Sequence, residues 1–141
     1  NPPGNLGSMI KAIKMGYYFN IDGGHTKRSM VLIYDVAKII VKASRFGGVY
    51  NLTDGYHPSF IEISNLICIQ LEKKMCLNIP LWFAKIISYV GDLIGSKAPI
   101  NNYKLKKIIS DLTFDDSKAR AVFAWKPKQV LKEFKINGKI S

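Results

Sequence analysis

"NPPGNLGSMIKAIKMG", residues 1–16, sets a glycine pair, Gly4 and Gly7, ahead of the apolar row Met9, Ile10 and Ile13. Its reading decides between two fold classes. A loop that cradles a dinucleotide needs a buried strand before it, a third glycine for close helix packing, and an acidic residue about 20 positions on. Pro2 and Pro3 stand where the strand should be, and proline cannot donate to a sheet ladder. Ile10 takes the third glycine's place, and Asp22, at roughly the right offset, lies in the turn "NIDGG". The stretch reads instead as a short helix, capped by Asn5 or Ser8 and ended by Gly16 in the left-handed conformation.

Outward from that helix, strands are few. An aromatic cluster, "YYF", leads to a Gly-Gly turn, and "SMVLIY", 29–34, reads as a strand from its apolar, partly branched content. Asp35 is then placed to cap "VAKIIVKAS", whose Val36, Ile39, Ile40 and Ala43 share one face. "VYNL", 49–52, reads as a second strand. Ser59 with Glu62 makes a capping box for a helix to about Lys73, carrying Ile63, Leu66, Ile67, Ile69 and Leu71. "LNIP" is an extended link into "PLWFAKIISYVGDLIG", 80–95. Short helices follow in "APINNYKLKKII" and, behind Asp115 or Asp116, in "SKARAVFAW", and the end reads as a helical turn and a frayed tail. The expected fold class is α+β, helix-rich, with strands too few for a doubly wound sheet of their own.

A chain of 141 residues, 48% hydrophobic and 22% charged, is expected to form one globular domain with a proper core. The net charge of +11 asks for an anionic partner. It comes from eighteen lysines and three arginines, scattered along the chain. A basic nucleic-acid-binding domain is the alternative reading, resting on that charge and on the aromatic pair Tyr17 and Tyr18. Against it stand the lysine scatter and the lack of a helix-turn-helix, zinc or RNP signature. Cys68 and Cys76, if both helical, lie about 12 Å apart along the axis, too far for a disulfide, and reduced thiols are expected. His25 and His57 are isolated, so no metal site is expected. In 80–95, Lys85 and Asp92 interrupt a run too short to span a membrane. Phe83, Ile86, Ile87, Val90 and Ile94 repeat there at helical spacing, which predicts a core helix. An interfacial membrane helix using Trp82 and Lys85 is the lesser alternative. The expectations are a cytoplasmic location and neither membrane nor nucleic-acid partners. Without an initiator Met, the chain reads as a piece of a longer protein.

Four stretches in order resemble one family. They are "PPGNLGSMIKAIKMG", "DGGHTKRSMVLIYDVAKII", "GGVYNLTDGYHPSFIEISNLI" and "FDDSKARAVFAWKP". Together they resemble the C-terminal half of the NAD-dependent epimerases/dehydratases, extended short-chain dehydrogenases such as UDP-glucose 4-epimerases. The resemblance implies that residues 1–141 are a substrate-binding domain for a nucleotide sugar, normally a UDP-sugar. Its partner would be an absent Rossmann half that holds NAD, and no cofactor is expected for this chain itself. It places Asn5 and Leu6 at the nucleotide diphosphate, Tyr18 and Phe19 at the uracil, and Arg28 at the diphosphate. Arg28 suits that role because guanidinium presents a planar fork to phosphate oxygens. In place of a second phosphate-binding Arg the chain offers Lys104, Lys106 and Lys107, of which Lys104 and Lys107 are the candidates. No catalytic residue is expected, and the family's dimer contacts would fall in the other half. Tyr34-x-x-x-Lys38 and Tyr103-x-x-x-Lys107 match the family's catalytic pair by spacing alone, follow rather than precede this domain's start, and carry little weight. The chain departs from the family at Leu32, at Thr53 and at Phe123-Ala124, where Leu-Gly is usual. Ala124 would cost about 1 kcal/mol if that position needs a positive φ.

Overall fold

The computed structural model describes residues 4–95, 98 and 100–136. Pro2, Pro3 and the tail 137–141 lie outside the described residues. Seven α-helices and one two-stranded parallel sheet are found among them, so the chain is α+β and helix-rich. It divides into two compact units. The first comprises residues 1–26, 59–111 and 135–141, and the second residues 27–58 and 112–134.

In the first unit, α1 (Asn5–Met15) buries Met9, Ile10, Ala12 and Ile13 as one stripe and packs against α3 (Phe60–Gln70). Gly16 ends α1 at φ 80° as its sequence predicts, but neither Asn5 nor Ser8 caps the other end. Gly4, at φ 75°, is the N-cap residue, and the Ser8 hydroxyl donates back to its carbonyl at 3.2 Å. The strands lie in segments not read as strands. β1 (Phe19–Ile21) pairs with β2 (Leu77–Ile79), Phe19 opposite Leu77 and Ile21 opposite Ile79. Behind β1 the chain turns tightly through Asp22–Gly24. A Cβ on Gly24 would come within 3.0 Å of both the Asn20 side chain and the Ile61 amide, so glycine there lets α3 start against β1. Ser59 and Glu62 form the expected capping box, the Ser59 amide donating to Glu62 Oε2 at 2.8 Å. The helix stops at Gln70 because the backbone reverses at Glu72, φ 53°.

Helix α4 (Leu81–Ile94) faces the other way from its expected stripe. Its buried residues are Ala84, Ser88 and Gly91, whereas Phe83, Ile86, Val90 and Ile94 are exposed. The reason is close approach of the segment that leads into α5 (Asn102–Ile108), which at Gly91 leaves no room for a side chain. A Cβ on Gly91 would collide with the Ile100 carbonyl. Ala84, Leu105 and Ile21 form the cluster between these helices and the sheet, flanked by Phe19, Ile79 and Leu81. No helix among the described residues is long and apolar enough to cross a membrane.

In the second unit, the runs 29–34 and 49–52 are not strands. The Arg28 amide donates to Pro58, the Ser29 amide to Leu112, and the Asp54 amide to Met30, at 3.0, 2.9 and 2.8 Å. Bonds that go to separate segments make an isolated bridge, Arg28 with Leu112, and no ladder. Neither run is buried, and Ile33, Tyr34 and Val49 are exposed, so apolar, branched content here marked neither a core segment nor a strand. Helix α2 (Ile33–Ala43) begins ahead of Asp35, behind Leu32, so Asp35 is not its cap. Ile39 joins Ala119, Phe123 and Trp125 from α6 (Ser117–Phe123) and its exit as the core. The unit closes with α7 (Val130–Glu133).

Candidate functional site

The three motif-bearing stretches of the second unit bind one another. The Trp125 indole N–H donates to the Thr53 carbonyl at 2.7 Å. The buried Asp54 carboxylate accepts from the Tyr56 amide at 2.9 Å and from the Val130 amide, at the start of α7, at 2.7 Å. The Asn51 side chain donates to the Asp115 carbonyl, and Lys118 to the Val49 carbonyl. Asp35, buried inside α2, accepts from the Lys128 amide at 2.9 Å and pairs with Lys38 at 3.1 Å. The Lys128 amide is the main cause that holds the Asp35 carboxyl below its ordinary range, against the cost of burial. Neither Asp115 nor Asp116 caps α6 through its side chain: Asp115, one position ahead of the N-cap, accepts from the Ser117 hydroxyl and amide, which also lower its pKa. Asp116, at the N-cap position, instead holds Arg120 in a two-pronged pair at 2.9 Å. Much of the chemistry in "VYNLTDG" and "DDSKARAVFAWKP" is therefore architectural.

Arg28 lies in this unit, half-buried, with its amide donating to the Pro58 carbonyl at 3.0 Å and its guanidinium donating to the Lys27 carbonyl at 2.9 Å. Ser29 beside it bonds His57 Nδ1 at 3.1 Å and the Phe114 amide at 2.8 Å. An open depression in the same unit is lined by Lys38, Lys42 and Lys126 around Asp35 and Trp125. Lys42 there donates to the Phe123 carbonyl at the end of α6. This cationic grouping was invisible in sequence because α2 and the segment after α6 meet only through packing.

The other candidates lie in the first unit. Asn5, exposed, and Leu6, half-buried, open α1, and Gly4 as N-cap brings no side chain to the first-turn amides. Such a helix start suits an anion. Tyr18 is half-buried, its hydroxyl 3.5 Å from Asn20 Oδ1, and burial above all drives its pKa upward, with Cys76 and Cys68 adding to the shift. Phe19 packs on the Ile21–Ala84–Leu105 cluster, which places it beside α5. On α5 the Lys104 amine donates to the Ala98 carbonyl, and the Lys107 amine sits 4.3 Å over the Tyr103 ring. The structure thus brings Phe19 and the α5 that carries both lysines to one cluster. Asn5 and Leu6 stand on α1, which packs on α3. Tyr103 and Lys107, matched earlier by spacing, are a ring and its cation on an exposed helix face. Among the described residues no group of three or more His, Cys, Asp or Glu could hold a metal ion.

No family model matches the chain, and no curated protein matches it. Solved structures do. One is the crystal structure of gox2253, with a TM-score of 0.64 and 16% identity over 92% of this chain. Another is the Bordetella bronchiseptica enzyme WbmG in complex with NAD and UDP, with a TM-score of 0.54 and 18% identity over 89% of this chain. The chain spans 41% of the first protein's length and 34% of the second's. At such identities the likeness speaks for the fold, which this chain shares with part of each neighbour.

Proposed function

We propose that residues 1–141 are the nucleotide-sugar-binding portion of an NAD-dependent epimerase/dehydratase, with a UDP-sugar as ligand. The observation that carries this reading is the fold likeness over 89% of the chain to an enzyme crystallised with NAD and UDP. The chain's span of about a third of that neighbour supports a further, NAD-binding half as its partner. Asp22 lies in a turn rather than at the end of a second strand, which supports placing NAD on the other half. NAD, bound by the other half, would supply hydride chemistry on the sugar.

This chain's residues would bind and orient. Arg28 presents its fork to the diphosphate, the start of α1 at Asn5 and Leu6 offers amide donors, and Tyr18 and Phe19 offer an aromatic edge to the uracil. Lys104 and Lys107 add positive charge from α5. The experiment is calorimetric titration of UDP into the chain joined to its NAD-binding half. Arg28→Ala is expected to weaken UDP binding about tenfold, the worth of one charge-assisted contact, with NAD binding unchanged. Unchanged UDP affinity removes Arg28 from the site. No UDP binding, with tight and salt-sensitive DNA binding, overturns the whole reading.

A further inference from the structure

Cys68 and Cys76 meet. The reversal at Glu72, together with the Lys73 amide bonded to the Cys68 carbonyl at 2.9 Å, carries Cys76 out of the helix and back beside α3. The spacing argument against a bridge held only if both cysteines were helical, and Cys76 is not. Their sulfurs lie 3.3 Å apart, with Cys68 wholly buried and Cys76 half-buried. A disulfide needs about 2.05 Å, so closure takes little more than 1 Å of sulfur movement. The asymmetry assigns roles: Cys76 is open to a small reagent, whereas Cys68 is reached through Cys76.

We propose that Cys68 and Cys76 form a two-thiol modification site that closes reversibly to an intramolecular disulfide by exchange with a small soluble disulfide such as oxidised glutathione. The Cys76 sulfur, losing its proton to solvent, attacks one glutathione sulfur, forms the mixed disulfide and releases one glutathione. The Cys68 sulfur, losing its proton, then attacks the Cys76 sulfur and releases the second. Two thiols are oxidised and one glutathione disulfide is reduced to two thiols, which balances the electrons. Burial, then the bond to Cys68, pushes the Cys76 thiol up to about 12, so exchange is slow at neutral pH and quickens with alkali. The bridge would tie the end of α3 to the start of β2, with Tyr18 beside it.

The test incubates the full chain in a series of glutathione buffers at mildly alkaline pH, followed by acid quench, alkylation and intact mass. Expected are a species lighter by two hydrogens with neither cysteine alkylated, its reversal by dithiothreitol, and a melting temperature higher by about 5 °C. Cys68→Ala should trap glutathione on Cys76. Cys76→Ser, at the more tolerant half-buried position, should leave Cys68 unmodified. A wild type that accumulates the glutathione adduct, that stays reduced across the whole series, or that bridges between molecules overturns the proposal. So does a Cys76→Ser protein whose Cys68 reacts as readily as the wild-type pair.

Discussion

Ala124 follows the last residue of α6 at φ 52° and ψ 43°, a left-handed position that costs an L-residue roughly 1–2 kcal/mol. Glycine removes the Cβ clash there but loses more backbone freedom on folding. Ala124→Gly is therefore expected to stabilise by about 1 kcal/mol, read as a higher urea midpoint with an unchanged slope. Asp35 gives the pH-dependent counterpart. Its carboxyl titrates below the ordinary value of about 3.9 because the Lys128 amide and Lys38 favour the charged form. Its stabilising charge is thus present above about pH 4 and lost as pH falls through the lower folded value. Asp35→Asn should be less stable than wild type at neutral pH, with the gap closing in acid. A gap constant down to the acid limit would remove Asp35 from the acid limb. Ala124's conformation was legible in sequence from the glycine expected at that place. Asp35's contact with Lys128 was not, because 93 positions separate the two residues.

At the scale of elements, α4 shows how a correct helix can have its faces exchanged. Periodicity locates it, and it also ranks the large apolar row above the small one. Packing chose Ala84, Ser88 and Gly91, and at Gly91 the Ile100 backbone, just ahead of α5, approaches too closely for any side chain. Gly91→Ala is expected to destabilise by about 1–3 kcal/mol through overpacking, whereas Leu93→Ala, at a site 90% exposed, should stay within about 0.5 kcal/mol. Thermal melts of the two variants check this, and equal melting temperatures would sink the packing account. The strands tell the same story. β1 and β2 are three residues each and carry no strong alternation, while the longer apolar run at 29–34 divides between scattered backbone bonds and the first turn of α2, and 49–52 joins no ladder.

For the molecule as a whole, each unit leaves large apolar side chains in solvent. In the first these include Trp82 and Tyr89 of α4, 64% and 65% exposed, and in the second Ile33, Tyr34 and Val41 of α2, at 67–76%. Under the proposed function the isolated chain should give no NAD-dependent turnover of a UDP-sugar, and addition of the NAD-binding half should create it. Turnover by the chain alone, followed by reduced-nicotinamide absorbance, would count against the division of labour. The sequence by itself determined what short-range hydrogen bonding and backbone sterics control: the Ser59–Glu62 capping box, the left-handed stop at Gly16, and most of the helices. Only the tertiary structure decided which face of α4 is buried, which segments pair as strands, and that Cys68 and Cys76 touch. Those choices turn on contacts between residues distant along the chain, or on a reversal such as that at Glu72, and local pattern does not encode either.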